Sequence, residues 1–221
     1  MYLTLKANSM GELMRGYIPS ILEEYESYAT DQLVQTGENR NICIFADSCY
    51  YSGLSSEWKW ESGHYEDNGQ NRKSSITNNP LFSSLKISIQ DYIKMILTEA
   101  NISKISDQWT SPIKGLEIGI ENRLCKVTPN QNNSPCLEWH SDANGFLSGN
   151  CWTSVLHYLI TPNIRGGSLD LKYEEIVNYV PEQDKVIIFG NGIEHQVNNI
   201  QSTNGIGYRG SLQLFFEERS D

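Results

Sequence analysis

Two histidines and one aspartate stand at positions from which they could share a metal ion. His140 and Asp142 are separated by one residue at the end of a predicted strand, where alternate side chains point to the same side. His195 begins a later predicted strand, directly after the turn Gly190-Asn191-Gly192. Two imidazoles and one carboxylate leave three positions of an octahedral metal open, which is the ligand set of non-haem iron centres. The pattern predicts a catalytic metal site.

An arginine near the end of the chain could bind an acid in the same site. Arg209 and Ser211 lie in the last predicted strand. A guanidinium group holds a carboxylate through two parallel hydrogen bonds, and a neighbouring hydroxyl can add a third. A dicarboxylic acid could therefore be held by Arg209 at one end and chelate the metal with the other.

Residues of about 110–217 resemble the 2-oxoglutarate/Fe(II)-dependent dioxygenase superfamily, in particular its prolyl-hydroxylase-like branch. Several motifs stand in the order typical of that family, which is more specific than any one motif alone. They are His140-Ser141-Asp142, Tyr158-Leu159, Gly166-Gly167-Ser168-Leu169, the apolar strand Asp184 to Phe189, His195-Gln196-Val197 and Arg209-Gly210-Ser211. Two details depart from the family pattern: the segment between His195 and Arg209 is longer than in many members, and Ser168 stands where an acidic residue is common.

The resemblance implies iron(II) held by His140, Asp142 and His195, with 2-oxoglutarate and O2 as co-substrates. It also implies that Tyr158 and Ser211 assist Arg209 at the distal carboxylate of 2-oxoglutarate. The expected reaction couples decarboxylation of 2-oxoglutarate to succinate with hydroxylation of a substrate C–H bond. Related halogenases have a small residue in place of the carboxylate ligand, so by this resemblance Asp142 argues against halogenation, and hydroxylation is the default expectation.

The elements that must position these residues are mostly strands. Short apolar or alternating runs follow Trp109, separated by Gly, Pro and Asn, and they favour a sandwich or barrel. The runs are Leu116–Val127, Cys136–Trp139, Trp152–Ile160, Ser168–Tyr173, Lys185–Phe189, His195–Ile200 and Tyr208–Phe216. The resemblance narrows this to a mainly β fold with flanking α-helices, a double-stranded β-helix of the jelly-roll, cupin-like type.

The first half of the chain has a different pattern. Apolar residues at helical spacing predict helices over about residues 10–34 and 80–100. Residues 37–79 lose this periodicity and predict a long loop rich in aromatic residues. We therefore expect one oxygenase domain over residues 1–221, with a helical and loop part at 1–108 and a β-helix core at 109–217.

Four tryptophans are candidates for contact with a substrate. Trp139 and Trp152 flank the metal segment, while Trp58 and Trp60 lie in the predicted loop, which could close over the site as a lid. Acidic residues accompany the last two and favour a substrate with a cationic group; they are Glu57, Glu61, Glu66 and Asp67. In strands such tryptophans are more often core residues, and acidic loops are usually just solvated. His157, facing opposite to Tyr158 on its strand, is interpreted as a structural histidine.

Composition limits the partners and the compartment. The chain has 221 residues, with 17 basic and 27 acidic side chains and a net charge of −10, which disfavours nucleic acid and anionic membranes. The N-terminus lacks a signal-peptide pattern, and no apolar run reaches the length of a membrane span. Five cysteines without a C-x-x-C pair fit a reducing cytoplasm.

Three interpretations remain open at this point. The first is an oxygenase acting on a small metabolite, amino acid or biosynthetic intermediate. The second is a catalytically silent β-helix protein that binds a ligand or serves as a scaffold, which would have no need of the three ligands and Arg209. The third is a cupin-like zinc hydrolase, which leaves Arg209 and Ser211 without a role. Substrate identity and oligomeric state do not follow from the sequence.

Overall fold

The computed structural model describes residues 2–16, 42–52, 58–64, 73–75, 91–96, 98–99, 116–127, 135, 137–142, 151–190 and 192–218. At 42–52, 58–64, 73–75, 116–126, 151 and 216–218 the description covers the backbone. Within these ranges no helix has both the length and the apolar character needed to cross a membrane.

Strands dominate the described part of the chain. One helix, α1 (Asn8–Gly16), follows the first strand, and residues 91–96 are also helical. The strands are β1 (Tyr2–Lys6), β2 (Ile42–Ser52), β3 (Trp58–His64), β4 (Lys73–Ser75), β5 (Leu116–Val127), β6 (Leu137–His140), β7 (Cys151–Ile160), β8 (Ile164–Gly166), β9 (Leu169–Lys172), β10 (Ile176–Tyr179), β11 (Lys185–Gly190), β12 (His195–Val197), β13 (Ile200–Ser202) and β14 (Gly207–Glu218).

The strands form two main antiparallel sheets. The larger has the order β1-β11-β7-β14-β5-β2-β3-β4, and the smaller has the order β10-β9-β12-β6. A separate two-stranded sheet pairs β13 with β8. From β5 onwards the chain crosses repeatedly between the sheets, as when β9 and β10 in the small sheet are followed by β11 in the large one. This is a double-stranded β-helix, and the predicted mainly β fold class is confirmed.

Burial explains the sequence patterns of the central strands. Val186 to Phe189 of β11 are all buried, so both faces of this strand in the middle of the large sheet are covered. A strand covered on both faces has a continuous apolar run instead of an alternating one. In β14, Leu212 and Leu214 are fully buried on one face, while Ser211 and Gln213 point into a cavity on the other.

The structure corrects the prediction of a long loop over residues 37–79. The backbone there includes β2, β3 and β4, and β2 pairs with β5 from Ile42 to Ser52. The polar and small residues of β2 interrupt the alternation that would predict a strand. The strand forms because pairing with a distant strand outweighs the local preference. The predicted helix at 10–34 begins at Asn8 and is helical to Gly16, after which it lies outside the described residues.

Helix α1 is attached to the large sheet by an ion pair. Arg15 of α1 forms a bidentate pair with Asp184, the Nη2–Oδ2 distance being 3.1 Å, and its Nη1 also donates to the carbonyl of Tyr158 at 2.7 Å. Asp184 has a positive φ of 62° in the turn before β11. A side chain at Gly11 would overlap the Asp184 carboxylate, so glycine is required for this close approach.

We predict that Arg15→Ala lowers the free energy of unfolding by about 1.5–3 kcal/mol, the range for hydrogen bonds to charged groups. The two side chains are only 24% and 17% exposed, so solvent screens the pair weakly. Urea denaturation measures the loss. The control is Lys94→Ala, which removes an ion pair to Asp91 with side chains 62% and 67% exposed and should cost under about 0.5 kcal/mol. Equal losses in both variants would contradict the prediction.

Candidate metal centre

A cavity of about 200 Å³ lies between the two main sheets. The large sheet contributes residues of β7, β11 and β14, and the small sheet contributes residues of β6, β9 and β12. Most of its wall is apolar, and the polar side chains among its lining are His140, Asp142, Thr153, His157, His195, Arg209, Ser211 and Gln213. The polar groups therefore converge on one cavity, as they do in small-molecule sites.

His140, Asp142 and His195 come together at one end of this cavity. One potential ligand atom from each lies within 4.8 Å of the others. The carboxylate lies between the imidazoles, with 3.6 Å from His140 Nε2 to Oδ1 and 3.6 Å from His195 Nε2 to Oδ2. Two ligands at about 2.1 Å from one ion are at most about 4.2 Å apart, so these separations suit a shared metal.

A β-bulge turns His140 into the cavity. In the pairing of β12 with β6, His195 faces His140 and Val197 faces Leu137, so β6 has one residue more than its partner between these points. Strict alternation would put Leu137 and His140 on opposite faces, whereas the bulge lets both line the cavity. Trp139, between them, is 38% exposed and lies beneath the ammonium group of Lys172.

Backbone carbonyls determine which nitrogen of each histidine faces the site. Nδ1 of His140 lies 2.8 Å from the carbonyl of Glu138, and Nδ1 of His195 lies 3.0 Å from that of Ile193. A carbonyl oxygen only accepts, so both Nδ1 atoms carry the proton. The lone pair of each ring is then on Nε2, towards the carboxylate, in the tautomer that binds a metal.

The surroundings of the site keep its ligands in their metal-binding forms. Burial lowers the pKa of His195, against the opposing effects of the Asp142 carboxylate and the Ile193 carbonyl, so the neutral ring is favoured. Phe189 packs its ring edge-on at 5.0 Å from the His195 ring. Thr153 on β7 donates a hydrogen bond of 2.7 Å to Oδ2 of Asp142 and so orients the carboxylate.

The donor set fits iron(II). Within the described residues the cluster has three members, two imidazoles and one carboxylate. Such a set on one side of an ion leaves positions for exogenous ligands, the arrangement of non-haem iron oxygenases. A structural zinc site would normally have four protein ligands.

Arg209 and Ser211 line the same cavity away from the metal ligands. Arg209 Nη1 donates to the carbonyl of Gly167 at 3.1 Å, and Nη2 lies 3.5 Å from Nδ1 of His157. Gly167 has a φ of +72°, and a side chain there would overlap both the Arg209 guanidinium and Ile200. The glycine therefore provides the space in which the guanidinium group lies.

Other predicted site residues lie elsewhere. Tyr158 is fully buried on the opposite face of β7, where its ring covers Gly210, so the structure does not bring it into the cavity with Arg209. Strand alternation puts the neighbouring His157 there instead. Trp139 and Trp152 are not among the cavity-lining residues. Trp58 and Trp60 belong to β3, whose side chains lie outside the description.

Sequence reasoning missed three polar residues of the cavity. They are Thr153 and His157 on β7 and Gln213 on β14, and each lies two residues from another cavity-lining residue of its strand. Alternation along β14 from Arg209 and Ser211 would have found Gln213. Alternation along β7 predicts which residues share a face, but one residue must already be known to face the cavity. Because Tyr158 is expected to do so from the resemblance, the sequence predicts the wrong face of β7 as the cavity face.

The fold matches solved structures across nearly its whole length. It resembles the crystal structure of IDO from Bacillus thuringiensis, with a TM-score of 0.52 and 16% identity over 99% of this chain and 94% of that one. A prolyl-4-hydroxylase from Pseudomonas putida also matches, with a TM-score of 0.47 and 11% identity over 99% and 93% of the two chains. So does an oxidoreductase of the 2OG-Fe(II) oxygenase family from Burkholderia pseudomallei, with a TM-score of 0.45 and 14% identity over 99% and 86%.

At 16% identity, the likeness to the Bacillus thuringiensis structure shows a shared fold. The resemblance predicted from the motifs is confirmed at that level. No protein-family model matches the chain, and no curated protein matches it in sequence.

We predict that Thr153→Val weakens binding of Fe(II) by about 10- to 100-fold, the usual effect of removing a hydrogen bond to a metal ligand. Valine keeps the shape of threonine but cannot donate to Asp142. Anaerobic titration of the metal-free protein measures the affinity. Thr153→Ser keeps the hydroxyl and should stay close to the wild type. If serine and valine weaken binding equally, the hydrogen bond is not the cause.

Proposed function

We propose that this chain is an Fe(II)- and 2-oxoglutarate-dependent oxygenase. The observation that carries the proposal is that a three-membered metal ligand set and the Arg209 guanidinium line one cavity. A metal site alone would fit several kinds of chemistry. Combined with a cation for a distant carboxylate, it fits a chelating dicarboxylic acid.

The chain's own residues have separate tasks in this proposal. His140, Asp142 and His195 hold the metal, and Thr153 orients the carboxylate. Iron with 2-oxoglutarate and O2 would supply the oxidising chemistry, with succinate and CO2 as products. Arg209 and Ser211 hold the distal carboxylate of 2-oxoglutarate. Apolar residues line the space between and exclude water; they are Val155, Leu169, Phe189, Val197 and Ile200.

The substrate we propose is a small metabolite, an amino acid or a biosynthetic intermediate, and the reaction is hydroxylation of an unactivated C–H bond. The cavity of about 200 Å³ supports a small co-substrate, since it is below the range of about 300–1,000 Å³ for drug-sized ligands. A cationic group on the substrate would be favoured by the net charge of −10 and by the acidic residues around Trp58 and Trp60. The same charge argues against nucleic acid, and we propose a cytoplasmic location.

We predict that the protein forms succinate from 2-oxoglutarate only with Fe(II) and O2 present, and faster with a true substrate. His140→Ala, Asp142→Ala and His195→Ala should each abolish turnover and lower bound iron without unfolding the protein, since each removes one metal ligand. Succinate, metal content and circular dichroism are measured while amines and amino acids are screened.

The control is Asp91→Ala, which removes an exposed carboxylate outside the cavity and should change neither turnover nor iron. Any single ligand variant with wild-type turnover and iron content would remove that residue from the site. A wild type that binds iron but forms no succinate with any candidate would favour the silent ligand-binding protein.

We predict that Arg209→Ala raises the Kd for 2-oxoglutarate with little change in iron binding. Truncating one partner of a buried charge pair costs about 2–5 kcal/mol, which is a factor of about 30 or more in Kd. Arg209→Lys should recover only part of the affinity, because lysine lacks the planar fork. The control is Arg165→Ala, an exposed arginine that bonds to backbone carbonyls of its own turn. An unchanged Kd in Arg209→Ala would place the carboxylate anchor elsewhere.

A further inference from the structure

His157 is a buried histidine on the cavity wall that the metal site does not use. It is 2% exposed and lies on β7, directly opposite Ser211 of β14. Thr153, Val155 and His157 follow one another along the cavity face of β7. Thr153 contacts Asp142 and His157 contacts Arg209, so this strand runs from the metal to the carboxylate anchor. The Cα atoms of Thr153 and His157 are about 13 Å apart along the strand, at about 3.3 Å per residue.

The contact with Arg209 determines the protonation of His157. Its Nδ1 lies 3.5 Å from Arg209 Nη2, and a guanidinium group can only donate. Nδ1 therefore has no proton. Burial, together with the positive charge of Arg209, holds the pKa of His157 well below the ordinary imidazole value. The ring is thus neutral, with its single proton on Nε2.

The ring is also held in one orientation. Its plane stacks on Tyr179 of β10, with 6.2 Å between ring centroids and 25° between planes. Tyr179 is itself 6% exposed and belongs to the apolar cluster of Leu169, Leu171 and Phe189. A stacked ring with a fixed Nδ1 contact has a fixed Nε2 direction.

Nε2 of His157 is a donor whose acceptor is not found among the described residues. The side-chain interactions of His157 in this part of the chain are those with Arg209 and Tyr179. A molecule bound in the cavity could supply the acceptor for this donor. His157 lines the cavity beside Arg209 and Ser211, where the anion is expected to lie.

We propose that the Nε2–H group of His157 donates a hydrogen bond to the distal carboxylate of a dicarboxylic 2-oxo acid, beside Arg209 and Ser211. The proposal rests on the proposed function and adds to it a specificity-determining residue at the anchor. The carboxylate then meets three kinds of donor, a guanidinium, an imidazole and a hydroxyl, of which one carries a positive charge. One cation for one carboxylate favours acids with a single charge at this end, and an acid without the distal carboxylate would leave the imidazole donor unsatisfied.

Histidine at this position can be replaced by amides that keep one of its two nitrogen positions. The side-chain nitrogen of glutamine reaches the place of Nε2, whereas that of asparagine reaches only the place of Nδ1. Phenylalanine keeps the ring and its stacking on Tyr179 but removes both nitrogens. His157→Gln, His157→Asn and His157→Phe therefore separate the donor at Nε2 from the shape of the ring.

The test is equilibrium binding of 2-oxoglutarate to the iron-loaded protein without oxygen, measured by calorimetry. We expect His157→Phe and His157→Asn to raise the Kd by about 10- to 100-fold, and His157→Gln to keep most of the affinity. Fe(II) affinity should not change in any of them. Binding of 2-oxobutyrate, which has no distal carboxylate, should be the same in His157→Phe and in the wild type.

Two results would overturn this role for His157. One is an unchanged Kd for 2-oxoglutarate in both His157→Phe and His157→Asn. The other is an equal loss of affinity for 2-oxoglutarate and 2-oxobutyrate, which would make His157 a structural residue of the wall. Failure of the proposed function looks different, because the wild type itself would then not bind 2-oxoglutarate, or would bind it independently of Arg209.

Discussion

The bulged pairing of β12 with β6 is the constraint on which the candidate site depends. It places His195 opposite His140 and turns both imidazoles towards the space between the sheets. Each ring is then held by a carbonyl of its own segment, so little else is needed to direct the two Nε2 atoms. A one-residue change of register would move His140 to the outer face of the small sheet, so the three candidate ligands would no longer lie together.

The large sheet connects this local arrangement to Arg209. Strand β7 positions Asp142 through Thr153 and positions Arg209 through His157. Strand β14 lies beside β7 and brings Ser211 and Gln213 into the same cavity. The residues that contact Asp142 and Arg209 are thus two positions on one rigid pair of strands, which is how a fold holds groups at a fixed spacing without a long loop.

The sequence was informative where local period and chemistry agreed. The strands around His140, His195 and Arg209 were predictable because apolar runs and turn residues mark them, and the ligand types limited the metal. It was uninformative where partners distant in sequence decide the outcome. β1 becomes a strand through pairing with β11, and the β6 bulge exists only because of β12. The face on which His157 lies follows from alternation, but that alternation had to be anchored on a residue whose role was already known.

The two departures from the superfamily pattern have structural explanations. The longer segment between His195 and Arg209 includes β13, which pairs with β8 in a two-stranded sheet. Asn163 holds the following turn, since its side-chain amide donates to Ser202 Oγ and to the carbonyls of Asn204 and Ile206.

Ser168, in place of an acidic residue, accepts hydrogen bonds from Asn178 and Asn198 beside Asp170. Gly166 pairs with Ile200 of β13, and the carbonyl of the next residue, Gly167, accepts a hydrogen bond from Arg209, so this two-stranded sheet helps to orient the guanidinium group. The added residues end before β14 begins at Gly207, so Arg209 lies within the paired part of β14.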